Sequence, residues 1–215
     1  DYCNSKNIKS IYEVRGMWQI TGVSRDLYYK TNVYKNNIAI DNNKEKYCIE
    51  KCSECLFITT QLQNFALKYC KYKYIKPLKC NIKQNPIFWN CYEINDNIQP
   101  KIYKRKNKTT KFIIGYAGSI VFYEGILELI KVIEKLISMK YKIEFHIVGD
   151  TSKLIKEVQK NRKYDVNSLF KKSFIKLYGK VPHNKINDII IDFDLYIIPR
   201  LDLPVTNIKC FTTRP

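Results

Sequence analysis

From Phe112 onward, short β-branched and aromatic runs alternate with amphipathic stretches, and this alternation constrains the chain more than any single motif. FIIGYA (112–117) reads as a strand, and residues 124–140 read as a helix with Ile126, Ile130, Ile133 and Ile137 on one stripe. IEFHIVGD (143–150) is a strand ending in Gly-Asp, and SKLIKEVQKNRK is helical. FIKLYG (174–179), NKINDIIIDF and DLYIIPR (194–200) continue as strand, helix, strand. Such a rhythm predicts βαβ units and a parallel sheet covered by helices. Ligands of such sheets bind on loops at the carboxyl ends of the strands. The loops to watch are therefore 115–124, 149–152, 179–183 and 199–209.

Before residue 99 the same grammar is incomplete. Residues 10–18 (SIYEVRGMW) read as a strand entering a loop, 44–55 as a helix, 56–60 as a strand and 61–68 as a helix. KCNI is a short extended piece before the turn Gln84-Asn85-Pro86. These strands are too few for a whole Rossmann domain, and no initiator methionine begins the chain. The expected organisation is a domain remnant over 1–98, a basic linker over 99–111, and a second Rossmann-like domain over 112–215, the whole a fragment lacking both ends.

The formal charge is +18, from 38 Lys and Arg against 20 Asp and Glu. The lysines are spread among many Asn, Ile and Tyr, as an AT-rich coding sequence would favour, so solvated surface is the first reading. Peripheral contact with an anionic membrane comes second and nucleic acid third. The densest run, KIYKRKNKTTK (101–111), suits an exposed linker. No window nears ~18 uninterrupted apolar residues, the length a membrane-crossing helix needs. No leader is legible, and 8 cysteines without one point to a reducing, cytoplasmic setting, peripheral to the inner membrane face on the membrane reading. Cys48, Cys52 and Cys55 form C-x3-C-x2-C, a spacing shared with the cluster-binding loop of radical S-adenosylmethionine enzymes. The same spacing is one face of a helix, and the flanking residues favour three small apolar side chains on a buried helical face.

Gly115-Tyr116-Ala117-Gly118-Ser119 lies between a strand and a helix, where glycine lets backbone N–H groups approach a phosphate. Neither G-x-G-x-x-G nor G-x-x-x-x-G-K-[ST] is present, which disfavours a dinucleotide fingerprint and a P-loop. The order of several stretches is more specific. GYAGSIVFYEGILELIKVI, FHIVGD, YGKVPHNKINDIIIDFDLYIIPR and LPVT together resemble the nucleotide-sugar domain of family 4 glycosyltransferases, with the GT-B fold. Upstream, YEVRGMW is similar to a loop of a YEVRG-type bacterial subgroup, and CSECLFITTQLQ and NIKQNPIF resemble further family segments.

This resemblance implies an α/β fold of two Rossmann-like domains and a retaining, metal-free sugar transfer without a cofactor. The donor would be a nucleotide-diphosphate sugar and the acceptor a lipid or saccharide. Gly118 and Ser119 would lie beside the diphosphate. Gly179, Lys180 and Val181 would border the nucleobase, with Pro182 and His183 next to them. Arg200 would face the cleft, and Arg15 would stand where many relatives carry a cleft-facing His, with Glu13 beside it. Ser119 and Glu124 occupy positions where many relatives hold phosphate with Arg and Lys, and Phe88 replaces the usual Asp of the interdomain turn. The family's E-x7-E element has no counterpart in NIKCFTTRP, so the fragment alone is expected to be inactive.

Other polar residues carry structural readings. His146 lies inside a strand, and His183 begins a helix with no metal-ligand spacing around it. Asp192 and Asp194 suit capping and turn formation. The sequence thus reads as a retaining glycosyltransferase fragment. The alternatives are a GT-B sugar-nucleotide epimerase and a non-catalytic remnant that binds a nucleotide or a partner.

Overall fold

The computed structural model describes residues 2–34, 38–67, 78–81, 87, 110–161 and 165–208. Two compact units emerge, Asp1–Asn95 with Asp202–Pro215, and Asp96–Leu201. The turn at Gln84-Asn85-Pro86, Phe88, linker residues 101–109 and the tail 209–215 lie outside the described residues.

The first unit begins with α1 (Tyr2–Ser5), β1 (Ile11–Val14), α2 (Trp18–Tyr29), α3 (Ile38–Lys51), β2 (Glu54–Phe57) and α4 (Thr60–Leu67). Strands β1 and β2 pair in parallel, from Ile11 opposite Glu54 to Val14 opposite Phe57. Ile87 adds an isolated parallel bridge to Phe57. Val14, Met17, Ile20, Phe57, Leu62 and Phe65 are fully buried here, each worth roughly 1.5–3 kcal/mol of transfer free energy.

The cysteine stretch differs from the helical reading. Helix α3 stops at Lys51, residues 52 and 53 bend, and Cys55 lies in β2 opposite Tyr12. Cys48 is exposed, Cys52 half-buried and Cys55 buried, so the three do not share a buried helical face. Ser10 explains the break. Its carbonyl accepts from the N–H groups of Ser53 (3.0 Å) and Glu54 (3.1 Å). The Ser10 N–H donates to Ser53 Oγ at 3.0 Å, and the Ser53 N–H reaches Ser10 Oγ at 3.2 Å. This clasp beside β1 converts helix to strand within two residues.

The second unit holds β3 (Phe112–Ala117), α5 (Ile126–Ser138), β4 (Ile143–Val148), α6 (Ser152–Asn161), α7 (Val166–Phe170), β5 (Ile175–Gly179), α8 (His183–Ile190) and β6 (Leu195–Tyr196). All pairings are parallel, in the order β5-β4-β3-β6. Ile113, Ile114, Tyr116, Phe145, Ile147 and Val148 fill the centre of the sheet. Ile126, Ile130 and Ile133 of α5 are buried, as the stripe in the sequence requires.

Of the boundaries that move, two bear on the strand ends. The helix read as starting at 124 starts at Ile126, because Gly125 takes φ 71° and separates it from a 3-10 turn, Phe122–Glu124. The strand read over 194–200 pairs only at Leu195 and Tyr196. Beyond them Pro199 lacks an N–H, and Leu201 donates its own to Tyr123 O at 3.0 Å, which draws the segment off the sheet edge.

The chain from Asp202 groups with the first unit. There α9 (Pro204–Ile208) donates the Val205 N–H to Ser24 Oγ at 2.9 Å, and Ser24 Oγ in turn donates to Ile20 O at 2.7 Å. The sequence alone carries the second domain through residue 215, because nothing in LPVT signals which core it joins. Among the described residues, no helix is long and apolar enough to cross a membrane.

Candidate functional site

The topology of the second sheet marks one place on its edge. From β3 the chain proceeds to β4 and β5 on one side, then returns to lay β6 on the other side of β3. That reversal is a switch point, and in open parallel sheets ligands collect in the crevice beyond it. The loops leaving β3 and β6 carry Gly118, Ser119, Glu124 and Arg200, all named from the sequence.

These loops are tied together. Arg200 Nε lies 3.5 Å from Glu124 Oε2. The Glu124 side chain is 3% exposed and that of Arg200 23%. The Leu201–Tyr123 hydrogen bond lies beside this pair, and a Cβ on Gly125 would meet Pro199 O at 1.9 Å. Glycine at 125 is therefore a condition for the two loops to touch. Two tyrosines brace the turn that leaves β3. Tyr116 Oη donates to Ser119 O and Tyr196 Oη to Ala117 O, both at 2.7 Å.

Lateral hydrogen bonds join the next loops. Gly118 N–H donates to Val148 O at 2.9 Å, and Gly149 N–H donates to Gly179 O at 2.8 Å. A Cβ on Gly149 would lie 2.2 Å from Gly118 O, whereas one on Gly179 would meet nothing within 4 Å. The ends of β3, β4 and β5 thus form a backbone shelf that is closed at Gly149 and open at Gly179. Lys180, Pro182 and His183 are exposed beyond it and Val181 is half-buried. Pro182 caps α8 without a side-chain bond, and His183 is the first helical residue.

Asp150 accepts from Ser152 N (2.9 Å) and Ser152 Oγ (3.0 Å). The backbone bond, then the hydroxyl, hold its carboxyl below the usual range, and Lys180 and Lys156 add to this. Asp150, Tyr116 and Tyr196 were not among the sequence candidates. Gly-Asp after a strand signalled the first, but nothing in the sequence distinguishes a tyrosine that braces a loop from one that fills a core.

Glu13 and Arg15 belong to the first unit, the former within β1 and the latter just beyond it. Their side chains form an exposed ion pair, Nε to Oε1 at 3.0 Å. His146 is buried in β4, its Nε2 3.2 Å from Glu144 Oε2 and its Nδ1 3.2 Å from Tyr178 Oη. Asp194 Oδ2 accepts the Ile113 N–H at 2.7 Å, a strand-joining role.

Parallel sheets in two units, one with a switch point and glycine-lined strand ends, define a Rossmann-like α/β fold of the GT-B type, the fold of solved glycosyltransferases. The similarity includes a glycosyltransferase from Rickettsia africae ESF-5, at TM-score 0.51 and 13% identity, over 93% of this chain and 53% of that one. It also includes a point mutant of S. aureus TarM in complex with fondaparinux, α-GlcNAc-glycerol and UDP, at TM-score 0.40 and 20% identity, over 72% of this chain and 27% of that one. The chain thus spans about half the length of the Rickettsia structure. No protein-family model and no curated protein matches the sequence.

Proposed function

We propose that this chain is part of a retaining family 4 glycosyltransferase, one that moves a sugar from a nucleotide-diphosphate sugar to a lipid or glycan acceptor. The observation that carries this reading is the switch point between β3 and β6, where the Gly118 turn and the Arg200 loop are joined. On this reading the donor's diphosphate lies against the backbone at Gly118 and Ser119, which have little side-chain bulk to keep it away. Arg200 supplies positive charge to the departing diphosphate, and Glu124 holds the guanidinium from behind. The nucleobase rests at Gly179–Val181, where a glycine with open space beside it leaves room for a flat ring. Charge that develops on the leaving group is met by fixed protein donors, so the reaction calls for neither metal nor cofactor. Acceptor chemistry falls to Glu13 and Arg15.

A second reading, a nucleotide-binding remnant without transfer activity, draws on the same ion pair, because Glu124 neutralises much of the charge that Arg200 brings. Titration calorimetry with UDP, GDP and ADP tests the shared part. At least one should bind, and Ser119→Asp, at an exposed position, should weaken binding while circular dichroism stays unchanged. A chain that binds none of the three, or a variant that binds as well as the parent, overturns both readings. Release of free sugar from the matching nucleotide sugar by the whole protein of which this chain is part, lost in Arg200→Ala, separates transferase from remnant.

A further inference from the structure

We propose that Cys52 and Cys55 form a reversible dithiol site that reacts with small-molecule disulfides and closes into an intrachain disulfide. The site lies in the first unit and is independent of the glycosyltransferase reading. Its basis is the junction between α3 and β2. The two thiols stand three residues apart across the bend at Ser53, near enough for each to affect the other's ionisation. Cys52 Sγ also donates to Ile49 O at 3.1 Å, which fixes its rotamer at the end of the helix.

The backbone between the two thiols is held independently. The Ser10–Ser53 clasp and the pairing of Cys55 with Tyr12 keep the connection in one conformation. A disulfide needs its two Cβ atoms close and correctly aimed, and a short bent junction held from both sides keeps the two cysteines near one another without refolding. Access is graded. Cys48 is exposed one turn before the site, Cys52 is half-buried, and Cys55 is 2% exposed. An incoming disulfide therefore meets Cys52 before Cys55. Cys80, 6% exposed, lies near enough to Cys55 to affect its ionisation and is the competing partner.

The chemistry balances in two exchanges. The Cys52 thiolate attacks one sulfur of a small disulfide, forming a mixed disulfide and expelling one thiolate. Cys55, deprotonated in turn, attacks the Cys52 sulfur and expels the second. Two protein thiols are oxidised and one small disulfide is reduced to two thiols. Burial raises the Cys52 thiol and pushes that of Cys55 up to about 12, so the thiolate fraction at neutral pH is small. The site is accordingly slow at neutral pH and quickens as the solution becomes more alkaline.

The test treats the reduced full chain with excess oxidised glutathione at mildly alkaline pH, then maps peptides by mass spectrometry. A Cys52–Cys55 link with loss of two hydrogens is expected, reversed by dithiothreitol, while Cys48 carries only a glutathione adduct. Cys55→Ser should trap a mixed disulfide on Cys52. Should that variant fail to fold, Cys52→Ser serves, and it should leave Cys55 reduced. A Cys48–Cys52 or Cys55–Cys80 link in place of the expected one overturns the proposal. So does a persistent glutathione adduct on Cys52 in the parent chain, or an unmodified Cys52 where Cys48 is fully modified.

Discussion

Arg200 reaches back across 76 residues to place its Nε 3.5 Å from Glu124 Oε2, and Glu124 is the more deeply buried partner. The asymmetry of burial gives the pair an asymmetric response to mutation. Arg200→Ala takes the guanidinium from a carboxylate with 3% side-chain exposure, whereas Glu124→Gln takes the carboxylate from a guanidinium that keeps 23%. Removing one partner of a fully buried pair costs about 3–5 kcal/mol, and partial solvation reduces that. We expect a loss of about 2–4 kcal/mol for Arg200→Ala and about 1–2 for Glu124→Gln in urea denaturation. Equal losses, or the reverse order, would contradict the arrangement.

The glycine loops predict a gradient rather than a uniform sensitivity. Gly125→Ala and Gly149→Ala place a Cβ 1.9 and 2.2 Å from a carbonyl oxygen, at φ 71° and 150°. Both should lose more than about 2 kcal/mol, since strain and clash add. Gly179→Ala meets no atom within 4 Å and pays only for its φ of 67°, about 1 kcal/mol. Thermal melts of the three variants should separate 179 from the other two.

A pH dependence follows from His146. Its pKa is lowered first by burial and also by Lys176, against opposing contributions from Glu144 and Asp192. Because the unfolded chain binds this proton more readily, the associated stability is present above the unfolded value of 6.5. It drains away as pH falls through that value toward the lower folded one. Urea midpoints should drop between about pH 7 and pH 5, with a shallower drop in His146→Gln. Equal slopes in parent and variant would remove His146 as the cause.

Ser24 predicts a loss in the first unit. Its hydroxyl accepts from Val205 N and donates to Ile20 O, and Ser24 is fully buried. Ser24→Ala leaves a buried N–H without this acceptor, at a cost of about 1–3 kcal/mol. Faster amide exchange at Val205 should accompany the loss. An unchanged exchange rate there would show that this contact does not hold α9.

Periodicity made the second unit legible. The stripe of Ile126, Ile130 and Ile133 needs a covering helix, and runs such as FIIGYA and IEFHIV suit strands buried on both faces. What escaped is what non-local contacts decide. Spacing alone gave Cys48, Cys52 and Cys55 to one helix, but the Ser10 clasp, 43 residues away in sequence, ends that helix early. DLYIIPR has the composition of a long strand, yet a hydrogen bond between Leu201 and Tyr123 shortens it. At the site, the glycines and Arg200 were legible as types, but the burial of Glu124 against Arg200 was not. An acidic residue ahead of an apolar stripe looks like a helix start, and only the fold reveals that Gly125 separates the two.

Glycine is scarce in this chain, 7 residues of 215, and four of those have a positive φ: Gly118, Gly125, Gly149 and Gly179. All four border the same edge of one sheet. Lysine, in contrast, is abundant and interchangeable over most of the surface. Saturation mutagenesis of the loop positions of the second unit, scored only for folding, would therefore leave a tolerant background and one intolerant arc, drawn by backbone geometry at the ends of β3 and β4. That arc would outline the edge proposed to face the ligand, with no ligand in the experiment, and it would fade at Gly179, where the shelf opens.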